Sequence, residues 1–555
     1  MSKKISFIVP VYKTEQYLER CLRSLVTQDW DNIEIICVMD GESKEAVKII
    51  DKFKNVITFA AVTIKHGGAC RARNEGASIA TGDILSFFNS DYVAVPGMVR
   101  AWMEAFEDNP DCDFVYGGYG YIDPQKNAER GEFGSYFPSE DFDEYKLECY
   151  NYIDCASPIK KEIFQKWNES CKSLQDWDFF LRLVKAGAKG KYIKDILFAA
   201  ELPRPKGLSD DSSHNWIERV KYVKKNNGVP ERDICVTSVG APLHAINTAK
   251  LLGADFKGYS VPVNFKPHNY KAIYLIGCYT GKDKNFSNLS VFRGATKECV
   301  KIIHWVGADI YWLRNLTFEE VKFLMPKMKK QVDYHLVECE QMRQEMADYG
   351  LETKIVPIAP IYQPDILPLP DTFSVAIMKT EKSDFDKYCG DLMDEVMAAL
   401  PNINFKVFGD GKCKRNLANV ENMGYVKMEA IIPRCSAFLR IVRHDGMMMA
   451  ANQFVMAGRV AITNLKMPYM EYIDTQVNKD NWDKFGGGFN AFTYPETKAK
   501  IIEKILEVKE TSKPKMSIAD GVELNWTEEG SKYYRDLLNK EKFKKEILSL
   551  CERKS

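Results

Sequence analysis

Apolar and polar positions fall into short blocks along the first part of the chain. The runs ISFIVPV (5–11) and IEIICVM (33–39) are predominantly apolar and close on a Pro or on Asp40-Gly41. ILSFFNSD (84–91) starts apolar and ends polar. Such runs predict strands buried on both faces of a parallel sheet. Between them, EQYLERCLRSLVT (15–27) places Leu18, Leu22 and Leu25 on one helical face. Residues 44–53 and 69–80 (ACRARNEGASIA) also read as helices, and 56–62 as extended. Alternation of strand and helix predicts an α/β sheet whose ligands lie beyond the carboxyl ends of its strands. Asp40 and Asn89–Asp91 fall at such ends.

From Asp178 to Gly228 the pattern predicts a helix (DFFLRLVKAG), one short strand (KYIKDILFAAE), a Pro-rich loop (LPRPKG) and a basic helix (WIERVKYVKKNNG). NNGVPERD then reads as a linker. A second series of buried strands follows: ICVTSVG (234–240), AIYLIG (272–277), KIIHWVG (301–307), YHLVEC (334–339) and TKIVPI (353–358). The Pro-rich stretch IYQPDILPLPDT (361–372) marks another boundary. A third series holds FSVAIMK (373–379), INFKVFGDG (403–411), VENMGYV (420–426), AFLRIV (437–442) and VAITN (460–464). The last segment, 528–553, reads as one Lys-rich helical stretch. The expected divisions are 1–228, 229–368, 369–527 and 528–555.

Composition narrows the function classes. The 77 basic and 77 acidic residues of the 555 cancel, so nothing electrostatic points to nucleic acid as a partner. The 15 cysteines are scattered, without zinc-site spacing, and fit a reduced cytoplasmic protein. MSKKISFIVPVY is too short for a signal peptide and reads as a first strand. With no run of 18 apolar residues, any membrane contact is expected to be peripheral, at the inner face. The basic stretch 540–553 fits either an anionic membrane surface or a packed helix with a solvated Lys face, and the packing reading is preferred. No G-x-G-x-x-G follows a strand, which argues against a dehydrogenase.

Three motifs carry candidate chemistry: FIVPVYKTEQYL, KHGGACRARNEGASIATGDILSFFNSD (65–91) and SLQDWDFFLRLVKAG (173–187). In this order and spacing, residues 4–225 resemble family 2 glycosyltransferases of the GT-A fold. The resemblance implies an N-terminal nucleotide-diphospho-sugar transferase fold. It implies donor contacts at Pro10, Val11, Tyr12, Glu15, Asp40 and Arg73, with Asp40 on a uracil base. The family's Asp-x-Asp metal element reads Asn89-Ser90-Asp91 here. Asp91 then holds Mn²⁺ or Mg²⁺, with Asn89 beside it; the alternative is an ordinary strand-end turn. Such an ion neutralises a departing diphosphate. Asp176 is implied as the base for the acceptor hydroxyl, with Asp178 as the alternative and a helix N-cap as the structural reading of Asp176. Arg73 serves the nucleotide or ties its helix to the Asp91 loop. Lys206 and Ser209 lie where the family often places metal-proximal residues.

In the remainder, FLRIVRHDGMMMAANQFVMAGRVAIT (438–463) resembles the donor-binding segment of GT-B, family 4-type glycosyltransferases. It implies a GT-B pair of Rossmann-like domains. Asp445-Gly446 makes the turn, the next helix offers N–H groups to a diphosphate, and Arg440, Arg443 and Lys379 add charge. Gln453 stands where the family has a ribose-binding Glu. His304 lines a cleft or is a core histidine, His444 is a turn residue, and Met447–Met449 are core. The expectation is a glycosyltransferase moving sugar from a nucleotide-sugar donor to a glycan, lipid-linked or protein acceptor in surface glycoconjugate synthesis. It is bifunctional, or has one degenerate half, or is a glycan- or nucleotide-binding scaffold.

Overall fold

A computed structural model describes residues 3–123, 125–201, 216–238, 241–258, 270–278, 287–313, 316–360, 362–380, 389–442, 447–475, 495–511, 518–519, 522–523 and 526–552. The chain folds as two compact units, Met1–Glu231 and Arg232–Ser555.

The first unit is built on a seven-stranded sheet. Its spatial order is Gly190–Tyr192, Phe114–Tyr116, Ile159–Lys160, Ile84–Phe87, Ile5–Val11, Ile33–Asp40, Thr58–Ile64. All neighbours pair in parallel except Ile159–Lys160, which is antiparallel to both of its partners. The period of two explains the two cores. Ile5, Phe7, Val9 and Val11 face one side with Leu18, Leu22 and Leu25 of the helix Glu15–Val26. Ile8, Ile36 and Val38 face the other with Ala72 and Ala77 of the helix Ala69–Ile79. The expected amphipathic stripe is therefore the buried face of the first helix.

A second, four-stranded sheet orders Tyr92–Ala94, Phe198–Ala200, Tyr119–Tyr121, Ser135–Phe137. Its stacked rings, Tyr92 on Phe198 at 5.3 Å, Phe198 on Tyr119 at 5.6 Å and Tyr119 on Phe137 at 5.1 Å, hold it together. The single strand expected over 191–201 is two strands, because the chain leaves the edge of the large sheet after Tyr192 and joins the small one at Phe198.

The second unit contains two six-stranded parallel sheets. The first runs Asp255–Lys257, Ile234–Ser238, Ala272–Ile276, Val300–His304, Tyr334–Val337, Lys354–Ile355. The second runs Val420–Gly424, Asn404–Phe408, Ser374–Met378, Ala437–Arg440, Val460–Thr463, Glu471–Tyr472. The latter has the 3-2-1-4-5-6 order of a doubly wound fold. The terminal stretch is two helices, Trp526–Leu537 and Lys540–Glu552. Asn539 breaks it, since its Oδ1 accepts from Lys542 N–H at 2.9 Å and starts the second helix. The first packs on the helix Met449–Met456, and the second on the helix Pro242–Leu252 with Phe543, Ile547 and Leu550 buried. No helix among the described residues is long and apolar enough to cross a membrane.

One glycine sets the first unit's layer spacing. A Cβ on Gly76, inside the helix Ala69–Ile79, would sit 2.4 Å from Ile8 Cγ2 and 3.1 Å from Val38 Cγ2. Gly to Ala in a helix interior is ordinarily stabilising. Here overpacking reverses the sign, and Gly76→Ala is expected to destabilise by about 1–3 kcal/mol, read as a lower urea midpoint.

Candidate active site

The three N-terminal motifs meet at the carboxyl ends of the central strands. Asp40 ends its strand and is 3 % exposed. Its Oδ1 accepts from Gly67 N–H at 2.7 Å, and its Oδ2 from Gly68 N–H at 2.9 Å and faces His66 Nδ1 at 2.9 Å. Gly68 is the N-cap of the helix Ala69–Ile79 with φ +93°, a left-handed conformation that favours glycine. Asp40 thus anchors the loop before that helix, and both its oxygens are engaged by the protein. The exposed Tyr12 ring stacks on His66 at 4.3 Å and 14°.

The helix Ala69–Ile79 carries Arg73 inward, where it is 4 % exposed. Its guanidinium donates to Asn89 Oδ1 at 3.0 Å, to Gln175 Oε1 at 3.2 Å and to Cys155 Sγ at 3.5 Å. Its face lies over Trp167 at 4.5 Å, and Trp167 stacks on Phe179 at 4.0 Å. One side chain therefore joins the turn after the strand Ile84–Phe87 to the first residue of the helix Gln175–Lys185. Thr14 Oγ1 and Ser90 Oγ, 2.7 Å apart, join the first motif to the same turn. Tyr92 N–H donates to Asn89 O, so 89–92 is a tight turn.

Asp176 lies in the first turn of its helix, partly exposed; the N-cap is Leu174, without a side-chain cap. This excludes the capping role for Asp176. Its carboxylate is raised by burial, against Arg73 and the Cys155 N–H, which favour its charge. A second carboxylate, Asp154, stands beside it. Ligand atoms of Asp154, Cys155 and Asp176 lie within 4.8 Å of one another. Asp154 was not singled out in the sequence, nor was Trp167. The available signal was an acid alone in the apolar and small run Tyr152–Ala156.

Several expected site residues have other work. Asp178 is 1 % exposed; its Oδ2 accepts from Arg182 Nε and its Oδ1 from Asn227 Nδ2, each at 3.0 Å. It ties two helices together and is closed to an acceptor. Val11 is 3 % exposed and belongs to the core. Pro10 is partly buried at the same strand end. Glu15 accepts from Ser43 Oγ at 2.7 Å and so braces the N-cap of the helix Lys44–Ile50. Asn89 does not fit as a metal ligand, because its oxygen faces a guanidinium and a dication there would be repelled. Asp91, partly exposed, is the carboxylate this turn offers a divalent ion. Lys206 and Ser209 lie outside the described residues.

In the second unit, Lys379 is buried in an ion pair with Asp394, Nζ to Oδ1 2.7 Å. Its charge holds that core and does not face a donor. Gln453, 4 % exposed, donates to Tyr362 O at 2.7 Å, which occupies the amide expected at a ribose. Arg440, 8 % exposed, lies 3.8 Å from Met378 Sδ. Arg443, His444, Asp445 and Gly446 lie outside the described residues. Just after them, Met447 N–H donates to the buried Glu338 carboxylate at 3.3 Å. His304 is a core histidine: fully buried, it has Nδ1 at 2.5 Å from Tyr274 Oη, and burial pushes it down to about 3.

If Arg73 is the joint of this site, Lys cannot replace it, since an ammonium neither forks nor stacks. Arg73→Lys should lower stability by about 1–3 kcal/mol through the partners it strands, measured as a shift in urea midpoint.

Residues 6–167 match the family described as Glycosyl transferase family 2. Glycosyltransferase GlyG of Streptococcus pneumoniae serotype 4 is 33 % identical over 146 residues, 26 % of this chain and 46 % of that protein. The glucosyl-dolichyl phosphate glucuronosyltransferase of Haloferax volcanii is 25 % identical over 174 residues, 29 % of this chain and 54 % of that protein. The chain thus spans about half the length of these two curated relatives. The structure of S. aureus TarS 1-349 in complex with UDP-GlcNAc is 18 % identical, with a match that covers 41 % of this chain and 66 % of that one at a TM-score of 0.34. The family match spans the strand end that closes on Asp40, the Arg73 helix and the turn at Asn89–Asp91, and its end adjoins the ring that Arg73 stacks on: the N-terminal region of this chain is a family 2 glycosyltransferase domain.

Proposed function

We propose that the first unit transfers a sugar from a nucleotide-sugar donor, probed first with UDP-linked sugars, to an acceptor hydroxyl. The observation that carries the reading is the Arg73 guanidinium, which joins Asn89, two residues before Asp91, to Gln175, the residue before Asp176. The exposed Tyr12–His66 stack offers a flat surface to a base, and Asp40 holds it there. The sugar's anomeric carbon faces Asp176, which takes the acceptor proton as the new C–O bond forms and the nucleoside diphosphate departs on the opposite side. Such a displacement inverts the anomeric centre. Asp91 would hold a divalent ion, which when bound neutralises diphosphate charge; the steps assigned to this chain are binding, orientation and proton removal.

For the second unit, the reading supported is a GT-B-like pair serving as a partner without its own donor turnover. Lys379 and Gln453 are engaged internally, and Glu338 places a carboxylate against the N–H that precedes the helix Met449–Met456. An anionic side chain there competes with a diphosphate for the same electropositive helix end. Restoring the family carboxylate tests this. Gln453→Glu would set a buried carboxylate against the Tyr362 carbonyl and is expected to destabilise by about 1–3 kcal/mol without creating a second turnover. A stable variant with new donor hydrolysis by the separately expressed second unit contradicts it.

The main test is a thermal-shift screen of nucleotide sugars, with and without Mn²⁺, followed by turnover of the donor that binds. A native-state ligand raises the melting temperature. Asp176→Asn should cut transfer by about 100-fold or more, while Asp178→Asn lowers the melting temperature and leaves turnover of the folded protein within severalfold of wild type. Full transfer by Asp176→Asn would refute the base assignment.

A further inference from the structure

We propose that Asp154 is a positioning residue for transfer: its carboxylate, clamped beside Asp176, sets how strongly Asp176 holds the proton taken from the acceptor. This rests on the assignment of Asp176 as the base. The clamp is specific. Tyr92 Oη donates to Asp154 Oδ2 at 2.9 Å, and Ala156 N–H donates to Oδ1 at 2.8 Å. Asp154 is 8 % exposed, in a short link between the helix Glu144–Cys149 and the strand Ile159–Lys160, so it cannot swing into solvent. Its ligand atom and those of Asp176 and Cys155 lie within 4.8 Å of one another. The Arg73 guanidinium, the cation at this site, donates to Asn89, Gln175 and the Cys155 sulfur.

The groups facing Asp154 are Asp176, Tyr92, Tyr119, Cys155 and Arg73. Burial first, and then the Asp176 carboxylate, push Asp154 up to about 7, against the Ala156 N–H, the Tyr92 hydroxyl and Arg73. Two carboxylates this close do not ionise independently, and the proton they share belongs to the pair. When Asp154 carries its charge, Asp176 becomes the stronger base. The rate of transfer then keeps rising with pH until Asp154 too has ionised.

The sign of the stability effect follows. The folded protein keeps the Asp154 proton after the unfolded chain has released it near pH 4. Stability from this group is present below that pH and is lost as pH rises toward about 7. Melting temperatures of full-length wild type and Asp154→Asn, taken from pH 4 to 8, read this without any substrate. The variant should gain on wild type across that window and hold its gain above it. A difference that does not change with pH overturns the inference.

The catalytic reading uses release of UDP from UDP-glucose and UDP-GlcNAc. In Asp154→Asn the acid limb of the kcat/KM profile should move down by about one pH unit and the plateau should fall severalfold. In Tyr92→Phe, which removes a hydrogen bond favouring charged Asp154, the limb should move up. A merely structural role predicts no opposed shifts, and limbs that coincide with wild type in both variants overturn the proposal. If the melting difference appears while Asp176→Asn retains full turnover, the base assignment has failed and the role in transfer falls with it; the pairing of the two carboxylates then stands alone.

Discussion

The site depends on one buried cation. Arg73 is charged at every ordinary pH, and removing it from water is tolerable only because neighbours replace its hydration. An amide oxygen, a second amide oxygen, a thiol and the face of an indole do so. Its hydrogen-bond partners Asn89, Cys155 and Gln175 lie 16, 82 and 102 residues from it along the chain. The guanidinium therefore fixes where the turn Asn89–Asp91 and the helix Gln175–Lys185 stand relative to one another. Its own position is set behind it: Asp40 holds the N-terminus of the helix, and Gly76 lets that helix lie close against Ile8 and Val38.

Much of this was legible in the chain. Predominantly apolar runs named the strands Ile5–Val11 and Ile33–Asp40, and a stripe of leucines named the face of the first helix. The alternative in which Arg73 ties its helix to the Asp91 loop is the arrangement found. What was not legible came from long-range packing. The four-stranded sheet uses strands of three residues, too short for a period, and its stability lies in rings stacked across strands. Asp154 and Asp178 are both acids in apolar surroundings; only the fold separates the one beside Asp176 from the one neutralised by Arg182. Lys379 and Gln453 matched a donor-site pattern, yet their partners Asp394 and the Tyr362 carbonyl lie 15 and 91 residues away in the chain.

The two units treat charge differently. In the first, carboxylates stand together where a cation alone does not neutralise them, which stores proton affinity at the strand ends. In the second, among the described residues, Lys379 is closed into an internal pair with Asp394, and the Met447 N–H faces Glu338. A catalytic site needs groups left partly unsatisfied for the substrate, whereas a scaffold satisfies them itself. That criterion supports the transfer proposed for the first unit.

The most direct measurement is a crystal structure of the full chain with a slow 2-fluoro analogue of the donor that binds. The account predicts the nucleotide base on the Tyr12–His66 stack, the diphosphate at the Asn89–Asp91 turn, and the anomeric carbon on the side of Asp176, with room for an acceptor oxygen about 3–3.5 Å from that carbon. An analogue bound in the second unit, or held in the first with its anomeric carbon turned away from Asp176, would contradict it.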